Sequence, residues 1–245
     1  MTANGVSSMD HDVKPLAIFD LDDTLVDYTG AILVSLDMFA TERSLGEEGR
    51  AFLRAEHARP GDPRDSWLSI AQRFNLEETP EDLLDAFMAS LPARVKSYDG
   101  VTEGLARLKS LGWKIALITN GEEVAQCAKM PAELRALFDV ACFSETEKIS
   151  KPDPAIFHAV LQRAQATPET CWMVGDSLEN DVGGAVAAGL RAIWVSGDQQ
   201  LPDDAARPQY VARDVFEAFR LLESMSPGVG DGRTQSSHHS PRKQA

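Results

Sequence analysis

The strongest constraint on the fold of this chain is one short run, Leu16-Ala17-Ile18-Phe19, which contains no polar residue. A strand wetted on one face alternates polar and apolar positions. An uninterrupted apolar run suits a strand covered on both faces, as in a parallel sheet. Four further runs are apolar throughout or after their first residue: Lys114 to Ile118, Val140 to Phe143, Cys171 to Val174 and Ala192 to Val195. Segments with helical character near 122–137, 154–165 and 179–188 separate them. Strands alternating with helices predict an α/β chain with a doubly wound parallel sheet and helices on both faces.

One block departs from that rhythm. Between the first strand and about residue 97 there is no strand signal, and four segments carry helical apolar spacing. Ile32, Leu36 and Phe39 mark the first, Phe52 and Leu53 the second, Trp67, Ile70, Ala71 and Phe74 the third, and Leu83, Leu84 and Phe87 the fourth. The block is expected to be a four-helix insertion over residues 29–96. The α/β core then comprises 15–28 and 97–223, closed by a last helix with Val215, Phe219 and Leu222. The polar stretches 1–14 and 224–245 are expected to be a disordered leader and tail.

The first run ends in acids: Asp20-Leu21-Asp22-Asp23 follows Phe19 directly. The carboxyl edge of an open α/β sheet is where ligands bind. Two neighbouring carboxylates there repel unless a hard cation such as Mg²⁺ lies between them or one keeps its proton. Three later strands also lead into polar groups: Thr119-Asn120-Gly121, then Lys151-Pro152-Asp153, then Gly175-Asp176 with Glu179 and Asp181. Parallel strands present their carboxyl ends on one edge, so residues as far apart as 20 and 181 are expected to converge. Acids for a cation, a hydroxyl and an amide to donate hydrogen bonds, and a lysine to neutralise an anion make a set suited to a phosphate group.

Composition narrows the choice of partners. A formal net charge of −14 opposes binding to nucleic acid or to an anionic membrane. The odd number of cysteines, Cys127, Cys142 and Cys171, contains no CxxC pair, which suits buried thiols in a reducing cytoplasm. The histidines form no HExxH pattern, Gly175-Asp176-Ser177 is not a GxSxG elbow, and no GxxxxGK[ST] loop occurs. Zinc hydrolysis, serine hydrolysis and P-loop chemistry are therefore not indicated.

The four polar stretches, Asp20-Leu21-Asp22-Asp23-Thr24, Thr119-Asn120-Gly121, Lys151-Pro152-Asp153-Pro154 and Gly175 to Asp181, resemble in order and spacing the four motifs of the haloacid dehalogenase-like hydrolases. The resemblance covers residues 15 to 197 and makes the insertion similar to that superfamily's α-helical cap. It implies that Asp20 is the nucleophile that forms an aspartyl-phosphate and that Asp22 is the general acid and base. Asp20, the backbone carbonyl of Asp22, and Asp176 would hold Mg²⁺, with Asp181 as a supporting acid. Thr119 and Asn120 would donate to the transferring phosphoryl oxygens and Lys151 would balance their charge.

An acid two residues after the nucleophile favours phosphoryl transfer over carbon–halogen cleavage. The implied activity is hydrolysis of a small phosphorylated metabolite, a sugar phosphate or a nucleoside monophosphate. A phosphotransferase or mutase, and a non-catalytic module that binds a phosphorylated ligand, are the alternatives. Asp23 is expected to turn away from the pair, and Glu179 to serve a helix start. His57, Arg59 and Arg64, in the broken loops of the insertion, are the candidates for reaching the substrate; oligomeric state is not legible.

Overall fold

The computed structural model describes residues 14–226. The first run forms β1 (Leu16–Phe19), followed by α1 (Tyr28–Glu42), α2 (Gly46–His57), α3 (Pro63–Phe74) and α4 (Pro80–Ser90). The chain continues through α5 (Val101–Ser110), β2 (Lys114–Thr119), α6 (Glu123–Ala128), α7 (Ala132–Arg135), β3 (Val140–Phe143) and α8 (Ser144–Glu147). It closes with α9 (Pro154–Ala164), β4 (Cys171–Gly175), α10 (Gly184–Ala187), β5 (Arg191–Val195), β6 (Tyr210–Ala212) and α11 (Val215–Ser224).

The strands form one parallel sheet in the order β3-β2-β1-β4-β5-β6. β1 thus lies between β2 and β4, buried along its whole length. Its alternate residues serve two cores, because side chains of a strand point to opposite faces. Leu16 and Ile18 pack in the cluster of Ile156, Phe157, Val160 and Ala185; Ala17 and Phe19 pack with Leu105, Leu108, Ala218 and Phe219. The absence of a polar residue from the run follows from this double burial. The strand order also reverses at β1 and β4, and the crevice at such a switch point is where doubly wound folds take ligands.

The helical insertion builds a separate core of Ile32, Leu36, Phe39, Leu53, Trp67, Ile70, Leu83 and Phe87. Trp67 is its centre, with Phe39 at 5.2 Å and Phe87 at 5.1 Å between ring centroids. Local signals start three of its helices. The side chains of Asp27, Asp62 and Thr79 accept from the backbone N–H groups of Gly30, Arg64 and Asp82, satisfying donors that have no partner within the helix. The insertion joins the core through two antiparallel segments, where the Asp27 N–H donates to the Lys96 carbonyl (2.8 Å) and the Tyr98 N–H to the Leu25 carbonyl (3.2 Å).

Three features differ from the sequence expectation. The stretch 122–137 is two short helices, because Pro131 cannot continue a helix from the turn before it. Residues Leu178–Gly183 form a π-helical segment ahead of α10. The sheet has an edge strand, β6, of only three residues, the first two exposed, and so short a run does not stand out in the sequence. The chain is also still packed on the core at position 224, where the tail is expected to begin. α11 ends at Ser224, and buried Ser226 accepts from the Trp113 indole N–H at 2.8 Å. The remainder of the expected leader and tail, 1–13 and 227–245, lies outside the described residues.

Packing between α5 and α11 yields a test. A Cβ on Gly104 would lie 2.3 Å from the Phe219 ring. That ring is backed by Phe19 at 5.7 Å. Alanine gains about 1 kcal/mol of helix propensity over glycine, whereas forcing a methyl into a packed core costs about 1–3 kcal/mol. Because Phe219 cannot retreat, Gly104→Ala is expected to be net destabilising by up to about 2 kcal/mol in urea unfolding. A stabilised variant would mean that the α5–α11 contact is looser than described.

Candidate active site

Asp20 leaves the carboxyl end of β1, and its backbone N–H continues the ladder to the Val174 carbonyl of β4 at 2.9 Å. Its carboxylate accepts from the Lys151 ammonium, which also donates to Asp181 at 2.6 Å. All three side chains are almost wholly withdrawn from water. Lys151 is the residue in which burial and pairing compete. Burial works against its charge, but Asp181 and Asp20 outweigh burial and hold the ammonium above its ordinary range.

Asp181 is fully buried, and Gly175 is what makes room for it. A Cβ at Gly175 would fall 2.2 Å from the Asp181 carboxylate. The second Asp181 oxygen accepts from the Ser177 N–H at 3.0 Å, which pins the acid across the loop after β4. Asp176, on the same loop, completes a cluster in which carboxylate oxygens of Asp20, Asp176 and Asp181 all lie within 4.8 Å of one another. Burial, opposed by Lys151 and reinforced by Asp181, pushes the Asp20 carboxyl up to about 8. Burial together with Asp181 and Asp23 pushes Asp176 up to about 7.

This donor set fits a hard divalent cation. Its atoms are carboxylate oxygens, the ligands that Mg²⁺ takes. Three carboxylates face one ammonium, so two negative charges stay unbalanced when all are ionised. That excess adds to burial in raising the proton affinities of Asp20 and Asp176.

Thr119, at the end of β2, is buried, and its Oγ1 accepts from the Gln126 amide, leaving the hydroxyl proton for another acceptor. Asn120 does something the sequence did not suggest. Its Oδ1 accepts from the Lys151 N–H (2.9 Å) and its Nδ2 donates to the Lys151 carbonyl (3.0 Å). The side chain is thus a brace that ties the β2 loop to the lysine loop, with one amide hydrogen left over.

Two functional-site residues were missed in the sequence. Lys129, just after α6, is buried and donates to both oxygens of Asp22, at 2.8 and 2.6 Å. Gln126 adds a contact to Asp22 at 3.2 Å, and the Lys129 ammonium lies 3.9 Å from the centre of the Tyr28 ring. Gln126 and Lys129 fall on one helical face three residues apart, but without a partner in view that spacing is ordinary. Asp23 accepts from the Thr29 N–H (2.8 Å) and hydroxyl (2.7 Å) at the start of α1, while staying near enough to Asp176 to raise its proton affinity. Of the three loop candidates, Arg64 pairs with Asp62 at the surface, while His57 and Arg59 border a cavity inside the insertion. None of the three lines the cleft of about 620 Å³ beside Asp22, Asn120 and Lys129.

Comparison with known proteins adds to this geometry. The family model of the haloacid dehalogenase-like hydrolases matches residues 15–189. The chain belongs to that family. Among haloacid dehalogenase-like relatives, it is 29% identical over 195 residues to a phosphoglycolate phosphatase of Mesorhizobium japonicum, covering 74% of this chain and 82% of the relative. It is 28% identical over 168 residues to a glyceraldehyde 3-phosphate phosphatase of Pyrococcus furiosus, covering 67% and 70%. The magnesium-bound HAD-hydrolase YfnB of Bacillus subtilis superimposes with a TM-score of 0.74 at 20% identity, over 86% of this chain and 99% of that one. That likeness establishes the shared fold, cap included.

Stability should test, without any substrate, whether the Asp20, Asp176 and Asp181 cluster of this haloacid dehalogenase-like hydrolase takes a cation. The carboxyls of Asp20 and Asp176 ordinarily titrate near 3.8 and are raised in the folded chain. Such groups favour folding below the unfolded value, and that contribution is lost as pH rises through about 7 and about 8. Cation-free protein is therefore expected to lose stability over that window, and Mg²⁺ to restore it. At a concentration of about 100 Kd the gain is about 2.7 kcal/mol, or roughly 5–10 °C in Tm for a domain of this size. Melting curves with and without Mg²⁺ at pH 6 and pH 8 should show the larger shift at pH 8.

Proposed function

We propose that this chain is a Mg²⁺-dependent phosphatase that hydrolyses a small phosphomonoester through an aspartyl-phosphate on Asp20. The observation that carries the reading is the position of Asp20 at the β1/β4 switch point, among Asp176, Asp181 and Lys151. Phosphatase-named relatives support it. Asp20, Asp176 and the Asp22 carbonyl, with Asp181 alongside, would hold the cation, which shields the nucleophile from an anionic substrate and stabilises charge in the transition state.

In the first step an Asp20 oxygen bonds to phosphorus as the bond to the alcohol oxygen breaks, and Asp22 gives that oxygen a proton. In the second, Asp22 takes a proton from water, whose oxygen displaces Asp20 and releases inorganic phosphate. Lys151 and the free Thr119 hydroxyl proton serve the phosphoryl oxygens, and Asn120 acts by holding Lys151 in place. Both Asp22 oxygens accept from Lys129, so a turn of the Asp22 side chain away from Lys129 is part of the acid step.

Phosphate release from aryl and alkyl phosphates is expected only with Mg²⁺, and Asp20→Asn should abolish it. Denatured wild-type enzyme caught in turnover should carry a phosphoryl group labile to hydroxylamine. Turnover in Asp20→Asn, or phosphate transferred to added alcohol in preference to water, would overturn the assignment. Asp22→Asn should slow alkyl phosphates by about 10²–10⁴. The same variant should lose much less on p-nitrophenyl phosphate, whose leaving group needs little protonation.

A further inference from the structure

The helical insertion carries an open pocket of about 400 Å³, with exposed Arg59, Pro63 and Met88 at its mouth. Leu36, Trp67, Ile70 and Phe87, each buried, form much of its wall. Its volume is within the range of about 300–1,000 Å³ typical of small-molecule sites.

The cavity adjoins the candidate active site. Tyr28, Met88 and Leu91 line both it and the cleft of about 620 Å³ beside Asp22, Asn120 and Lys129. Tyr28 is the hinge-side residue of that shared wall, with the Lys129 ammonium over its ring. The two spaces therefore offer opposite chemistry to one molecule: acids, amides and ammonium at one end, and aromatic and aliphatic surface at the other.

The polar groups in the cavity wall are largely committed elsewhere. Ser66 donates to the Glu56 carbonyl at 2.9 Å, and Arg59 pairs with the Glu56 carboxylate at 2.9 Å. A polyol placed there would bury hydroxyls without partners, at a cost of about 1–3 kcal/mol each. An alkyl or aryl group would lose nothing and would remove apolar surface from water.

We infer that this cavity binds the alcohol portion of the substrate, and that the substrate is a phosphomonoester with an apolar alkyl or aryl body. The inference rests on the phosphatase reading for its reaction and names the substrate class of that same site. It separates this chain from enzymes of short, polar phosphates such as glycolate and glyceraldehyde esters.

The test is a series of ethyl, butyl and hexyl phosphate, with 2-naphthyl phosphate and 2-phosphoglycolate, assayed with Mg²⁺ on the full chain. kcat/KM should climb by about fourfold per added methylene, and 2-phosphoglycolate should rank low. Leu84→Trp, which fills the cavity, should collapse the hexyl-to-ethyl ratio from on the order of a hundredfold toward one. Hydrolysis that is flat along the series, or fastest on 2-phosphoglycolate, would overturn the inference while leaving the phosphatase reading intact. Calorimetry with 2-naphthol alone tests the cavity without hydrolysis. Binding that weakens in Leu84→Trp supports the inference even if no ester is cleaved, and absence of binding in the wild type refutes it.

Discussion

The buried bridge of Lys151 to Asp20 and Asp181 is the interaction on which the rest of the site depends. It joins the ends of β1 and β4 to the loop before α9, three places that only the folded sheet brings together. Removing one partner of such a buried pair typically costs about 3–5 kcal/mol, because a charge is left without compensation. Several details of the chain exist to allow it. Gly175 has no side chain because the Asp181 carboxylate occupies that space, and Asn120 spends both ends of its amide on the backbone of Lys151. The bridge is nevertheless incomplete electrostatically, since Asp176 adds an acid that Lys151 cannot balance. That residual charge is the physical case for a cation.

A second buried ammonium, Lys129, links chemistry to the cap. Its contacts with both Asp22 oxygens put the proposed acid and base under the control of a residue just after α6, and its seat on Tyr28 reaches the first residue of α1. Tyr28 follows directly on the antiparallel hinge of Leu25 to Asp27 with Lys96 to Tyr98. The same tyrosine forms part of the wall between the catalytic cleft and the apolar cavity. One aromatic ring thus touches the hinge, the acid's partner and the proposed substrate body.

Much of the architecture was legible because its signals are local. The double burial of β1 wrote itself as four apolar residues, and Asp27, Thr79 and Asp153 announce helices by side chains that cap the residues just ahead. β6 was illegible because an edge strand of three residues with two exposed positions carries no periodic pattern. The division of α6 from α7 hung on Pro131, whose effect outweighed the surrounding helix-forming residues.

For the site, the sequence by itself determined which acids, hydroxyl, amide and lysine stand at the ends of β1, β2, β4 and the loop before α9. The direction of parallel strands then puts them on one edge. Only the tertiary structure decided who faces whom. It set Asn120 on the backbone of Lys151, Asp181 on Lys151, and Lys129 on an acid more than a hundred residues earlier. Periodicity and capping depend on neighbours a few residues away. Ion pairs and cavities depend on how far each layer of helices stands from the sheet, which no local pattern records.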